Sequence, residues 1–79
     1  MTYRYQIADT LVEITDPPQG GSYRELADTA VAWESYARHQ HGRGIAAYSI
    51  EWDENGRLIE RIEYRDGRVL TNGRKAVTA

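Results

Sequence analysis

The chain contains no cysteine, which excludes disulfide staples and thiolate metal sites and suits a reducing compartment. It also lacks any long apolar run. No segment approaches the roughly 20 apolar residues of a membrane-spanning helix. The opening Met1-Thr2-Tyr3-Arg4-Tyr5-Gln6 alternates where a secretory leader would be continuously apolar. These absences predict a cytoplasmic protein with no membrane partner. Lysine is nearly missing too, since nine of the ten basic residues are arginine. Arginine suits planar, multidentate contacts and is favoured at interfaces. Net charge is only −2 over 79 residues, so no strong overall field of either sign is present. This length predicts one domain, residues 1–79, with little spare core for a deep active site.

What charge there is divides unevenly. Residues 1–34 hold two arginines against six acids, and residues 35–79 hold seven arginines and Lys75 against six acids.

Tyr3, Tyr5 and Ile7 alternate with Arg4 and Gln6, and Val12 and Ile14 share a face of the β-branched run Leu11 to Thr15. Two short strands broken near Ala8-Asp9-Thr10 are expected, with one bulged strand as the alternative. Asp16-Pro17-Pro18-Gln19-Gly20-Gly21 ends any regular element. Ser22 and Glu25 have the spacing of a capping box, which predicts a helix from about Tyr23 to His41. Tyr23, Leu26, Ala30, Trp33 and Ala37 form its apolar stripe, widened by Ala27 and Val31. Gly42 or Gly44 supplies the left-handed stop.

The second half predicts a meander of strands over 45–53, 57–65 and 68–72. With Gly56 as the left-handed residue of a three-residue loop, Asp53 faces Arg57, Trp52 faces Leu58, Tyr48 faces Ile62 and Ala46 faces Tyr64. Glu60 then faces Ile50 as the one polar misfit, expected at the margin or paired. Asp66-Gly67 suggests a two-residue turn that sets Tyr64 against Val69. The second face then carries Ala47, Ser49, Glu51, Ile59, Arg61, Glu63, Arg65, Arg68, Leu70 and Asn72. The fold class is α+β, one helix on an antiparallel sheet in the order ββαβββ, or βαβββ if the first two strands are one.

No catalytic, metal or cofactor motif emerges. His39 and His41 stand two apart, whereas helical metal pairs stand four apart, and positive charge at a helix end is the simpler account. Gly20-Gly21-Ser22 matches neither a phosphate loop nor a dinucleotide fingerprint. Asp53 and Asp66 read as turn residues. The expectation is a non-enzymatic chain without cofactor or metal. Two surfaces stand out as partner-binding candidates. One is the acidic helix side with Glu25, Asp28 and Glu34, fit to meet a basic groove. The other is the sheet face with Arg57, Arg61, Arg65 and Arg68, fit for a protein or for nucleic acid. The competing account of each is local: Glu25 as a cap, the rest as solvated ion pairs. Both a monomer and a homodimer remain open, since a terminal strand leaves an edge free to pair.

Trp52-Asp53-Glu54-Asn55-Gly56-Arg57-Leu58, followed by Tyr64-Arg65-Asp66-Gly67-Arg68, looks like a single YD/Rhs-type repeat. Such repeats act in long arrays, so one copy implies shared hairpin chemistry. In size and layout the whole chain resembles the small anti-CRISPR proteins of phages and mobile elements. That resemblance implies an inhibitor in the cytoplasm of a bacterial host. It would dock on a Cascade-like CRISPR effector complex and block target DNA binding. The alternative is a regulatory or antitoxin-like module that binds nucleic acid through the arginine-bearing face.

Overall fold

The computed structural model describes residues 1–23 and 30–75. Within them the order is β1 (Thr2–Ile7), β2 (Thr10–Thr15), α1 (Ala30–Gly42), β3 (Ile45–Trp52), β4 (Leu58–Tyr64), β5 (Val69–Thr71) and β6 (Arg74–Lys75). All six strands join one sheet in sequence order, with α1 packed on β1, β2 and β3. The fold is α+β, and β1 to β5 around the helix follow the expected ββαβββ order. No helix among the described residues is long and apolar enough to cross a membrane.

The first two strands are separate, joined by a tight turn at Ala8-Asp9 that sets Ile7 opposite Thr10. Ala8 sits at φ 50°, a left-handed conformation that a Cβ disfavours. Val12 and Ile14 are buried as their shared face predicts, and Tyr5 and Ile7 pack against them. Burying one such aliphatic side chain contributes about 1.5–3 kcal/mol.

The sheet is mixed, which corrects the antiparallel expectation. β2 and β3 pair in parallel, with Val12 opposite Tyr48 and Ile14 opposite Ile50. The cause is the crossover. A chain that leaves β2, runs back along the sheet as a helix and re-enters beside β2 points the same way again. The other pairings among the described residues are antiparallel.

α1 presents Trp33, Tyr36, Ala37 and Gln40 to the sheet, and Ala37 and Gln40 are buried. Val31 is 70% exposed and Ala30 is exposed, so the stripe is rotated from the expected one. Gly44 takes the left-handed stop at φ 79°. The capping partner Glu25, Leu26 and Ala27 lie outside the described residues, as do the expected first turns that hold them. Ser22 Oγ donates to Asp16 Oδ1 at 3.0 Å.

The β3–β4 register follows expectation at Trp52–Leu58, Ile50–Glu60 and Tyr48–Ile62. At its start Ile45, not Ala46, opposes Tyr64, because a bulge between Ile45 and Ala47 shifts the ladder. Ile45 thereby becomes fully buried. The β4–β5 pair departs by one residue. Tyr64 accepts from Gly67 N and donates to Arg68 O, so the loop is Arg65-Asp66-Gly67, with Gly67 at φ 96°. It repeats the first hairpin, where Gly56 N donates to Asp53 O and Asp53 N donates to Arg57 O. Three loop residues in place of two set Ile62 opposite Leu70 and Glu63 opposite Val69. A one-residue slip exchanges faces, so Leu70 and Arg68 move to the helix side and Val69 moves to the other.

Candidate functional surfaces

The strand registers assemble two surfaces. On the helix side, Tyr5, Val12, Tyr48, Ile62 and Leu70 follow one another from β1 to β5. On the opposite face, Arg4, Glu13, Ser49, Arg61, Thr71 and Arg74 cross all six strands. Beside that polar row run Gln6, Leu11, Ala47, Glu63 and Val69. No described element lies over this second face. The molecule measures 35 × 32 × 14 Å, the thickness of one helix layer on one sheet. Two ion pairs lie in it, Arg4 with Glu13 at 2.7 Å and Arg61 with Glu63 at 2.6 Å, while Arg74 and Glu51 are exposed without an ion pair among the described residues. The face is therefore a flat mosaic of largely paired charge with half-buried Leu11, Ala47, Ile59 and Val69 between.

The four arginines expected to act together are divided. Arg61 stays on the open face with Glu63. Arg57 is exposed at the first loop, where its backbone N donates to Asp53 Oδ1 at 2.8 Å. Arg65 turns under the end of α1. Its Nη2 donates to the His41 carbonyl at 2.7 Å, and its Nε lies 3.3 Å from Asp9. Nη2 also stands 2.6 Å from His41 Nδ1. The same ring nitrogen lies 3.5 Å from Asp9 Oδ1. Thr10, fully buried, donates its hydroxyl to the Ile45 carbonyl at 2.7 Å beside the same ring nitrogen. This junction ties the Ala8-Asp9 turn, the helix end and the start of β3, and it explains His41 as a structural residue.

Arg68 stands over the Tyr64 ring at 4.2 Å and pairs with Asp66 at 2.8 Å. The Arg68 backbone N–H, first, and then its guanidinium hold the Asp66 carboxyl below its ordinary value. Of the acidic candidates, Glu34 pairs with Arg38 one helical turn on at 2.6 Å. Glu25 and Asp28 lie outside the described residues. Among the described residues no group of three or more histidines and acids is placed to hold a metal ion.

The helix side carries a feature that the sequence pattern did not announce. A cavity of about 470 Å³ opens between α1 and the sheet. Ile14 and Ile50 form its floor, Trp33 and Tyr36 its helix wall, and Tyr23 the facing wall. Tyr3 stacks on Trp33 at 5.8 Å between centroids, and Trp52 on Tyr23 at 6.3 Å. Tyr36 meets Trp33 and Tyr48 edge to face. Glu60 stands opposite Ile50 on the next strand and accepts the Tyr48 hydroxyl at 2.7 Å. The expected misfit is thus half-buried and hydrogen-bonded. Burial, then the hydrogen bonds with Tyr36 and Glu60, push the Tyr48 phenol well above its ordinary range. Alternation had placed Tyr48, Ile50 and Glu60 on this face. The space between them and the helix depends on how α1 lies, which periodicity does not specify.

No protein-family model, curated protein or solved structure matches the chain.

Proposed function

We propose that this chain is a non-enzymatic protein-binding domain that acts by covering a partner's working surface. Its specific form is the one that the anti-CRISPR resemblance implies, an inhibitor that docks on a CRISPR effector and blocks target DNA binding. The observation that carries the reading is the sheet face over which no described element lies. It spans six strands on a molecule 35 × 32 Å across, which suffices for the roughly 800 Å² per partner of a standard interface. Arg4, Glu13, Arg61 and Glu63 at its centre are already paired, so docking there leaves few ions to be stripped of water unpaired. Of the acidic candidates for a second surface, Glu34 is paired with Arg38, and Glu25 and Asp28 lie outside the described residues. Binding of nucleic acid through Arg57, Arg61, Arg65 and Arg68 has less support, because Arg65 and Arg68 turn to the helix side.

The test is target DNA binding by a purified CRISPR effector with and without the chain, repeated with Ser49→Arg. Ser49 occupies the central strand of the open face, away from the core. The chain is expected to suppress DNA binding, and Ser49→Arg to weaken that suppression about tenfold or more while leaving the fold intact. Unchanged DNA binding at saturating chain, or equal potency of Ser49→Arg, overturns the reading.

A further inference from the structure

The cavity beneath α1 has a composition that points to a ligand class, independently of the open face. Three aromatic side chains, Tyr23, Trp33 and Tyr36, line it, over a floor of Ile14 and Ile50. Its volume of about 470 Å³ falls in the usual range for small-molecule sites. Two of the rings are held by stacking, Trp33 by Tyr3 and Tyr23 by Trp52. Ring positions fixed in this way reduce the ordering cost of binding.

Glu60 supplies the second observation. It lies directly across from the floor residue Ile50 on the same face, with Cβ atoms roughly 5 Å apart. Among the described residues its carboxylate has one side-chain partner, the neutral Tyr48 hydroxyl, and no cation. Every other acid on the sheet faces just described, Glu13 and Glu63 included, has an arginine beside it, apart from the exposed Glu51. Glu60 neighbours the floor residue Ile50 without itself lining the cavity, and a half-buried carboxylate without a counter-ion next to an aromatic-lined cavity biases it toward an organic cation. The rings attract the cation through their negative faces, and the carboxylate supplies the opposite charge. An anion is disfavoured by the same Glu60.

We propose that the cavity binds a small alkylated ammonium compound, its cationic head between Trp33, Tyr36 and Tyr23 and its charge favoured by the field of Glu60 beyond the floor residue Ile50.

The test uses the whole chain and two probes of the same shape, choline and the neutral 3,3-dimethylbutan-1-ol. Trp33 lines the cavity and Trp52 stacks on Tyr23, so tryptophan fluorescence reports both titrations. Saturable binding of choline is expected, about tenfold tighter than the alcohol. Glu60→Gln keeps an acceptor for the Tyr48 hydroxyl and is expected to remove that preference while leaving the alcohol unchanged. Tyr48→Phe keeps the carboxylate and is expected to retain the preference, which separates a lost charge from a disturbed fold. Equal affinity for the two probes, no saturable response to choline, or a preference that survives in Glu60→Gln each overturns the proposal. None of these outcomes bears on the open sheet face, so the two readings fail separately.

Discussion

The Tyr48 hydroxyl reaches diagonally across the β3–β4 pair to donate to Glu60 at 2.7 Å. This bond reconciles the one acid on the helix side of β4 with the aromatic layer beside it. Tyr48→Phe removes the donor and is expected to cost about 1 kcal/mol, seen as a lower denaturation midpoint with unchanged slope. The pH dependence follows in sign. The folded state holds the phenol above its ordinary range. The stability linked to it is therefore complete below about pH 10 and declines as pH rises further. Tyr48→Phe should show a shallower alkaline decline than the parent chain in denaturation series run upward from neutral pH.

Gly67 carries the second hairpin at φ 96°, and a Cβ there would meet nothing within 4 Å. The cost of Gly67→Ala is thus backbone strain alone, expected at about 1–2 kcal/mol. Thermal melts should show it as a drop of about 4–8 °C per kcal/mol for a domain of this size. Gly67→Asn should lose less, since asparagine tolerates the left-handed region better.

Asp66, in the same loop, acts on the acid side. Its carboxyl is held below the ordinary value by the Arg68 backbone N–H and guanidinium. The stability linked to it is present above about pH 4 and is lost as pH falls through the lower folded value. Asp66→Asn should flatten the acid limb of the stability profile, measured by urea denaturation at successive pH values.

Arg65 is expected to resist replacement by lysine. Its Nε faces Asp9 while its Nη2 caps the His41 carbonyl at the end of α1. A single ammonium cannot serve both directions. Arg65→Lys should therefore destabilise nearly as much as Arg65→Met, by about 1 kcal/mol given the partial exposure of the group. Equal stability of Arg65→Lys and the parent chain in urea would remove the junction's claim to geometry.

Much of this architecture is legible in the chain. Alternation placed Val12, Ile14, Tyr48 and Ile50 in the core, and Asp53 to Arg57 set the first hairpin's register. It singled out Glu60 as the polar misfit that finds a partner. Three features were not legible, each for a physical reason. Asp66-Gly67 suits both a two-residue turn and the last two positions of a three-residue loop, and the choice decides which face receives Leu70 and Arg68. Strand periodicity carries no direction, so the parallel pairing of β2 with β3 follows only from where the helix returns the chain. Side chains as long as arginine's are not placed by parity alone. Arg65 follows hydrogen-bond acceptors around the sheet's end.

The parallel joint also has a kinetic meaning. β1 with β2, and β3 with β4 and β5, are hairpin units whose partners are near neighbours in sequence. The β2–β3 pairing is different, since Val12 must find Tyr48 across the whole turn-and-helix segment. Local pairings form before distant ones because a long loop costs entropy that only its own contacts return. The β2–β3 seam is therefore the step expected to limit the rate of folding. A substitution of Val12 or Ile50, on its two sides, reaches the barrier as well as the final stability, whereas one in the β4–β5 loop chiefly hastens unfolding.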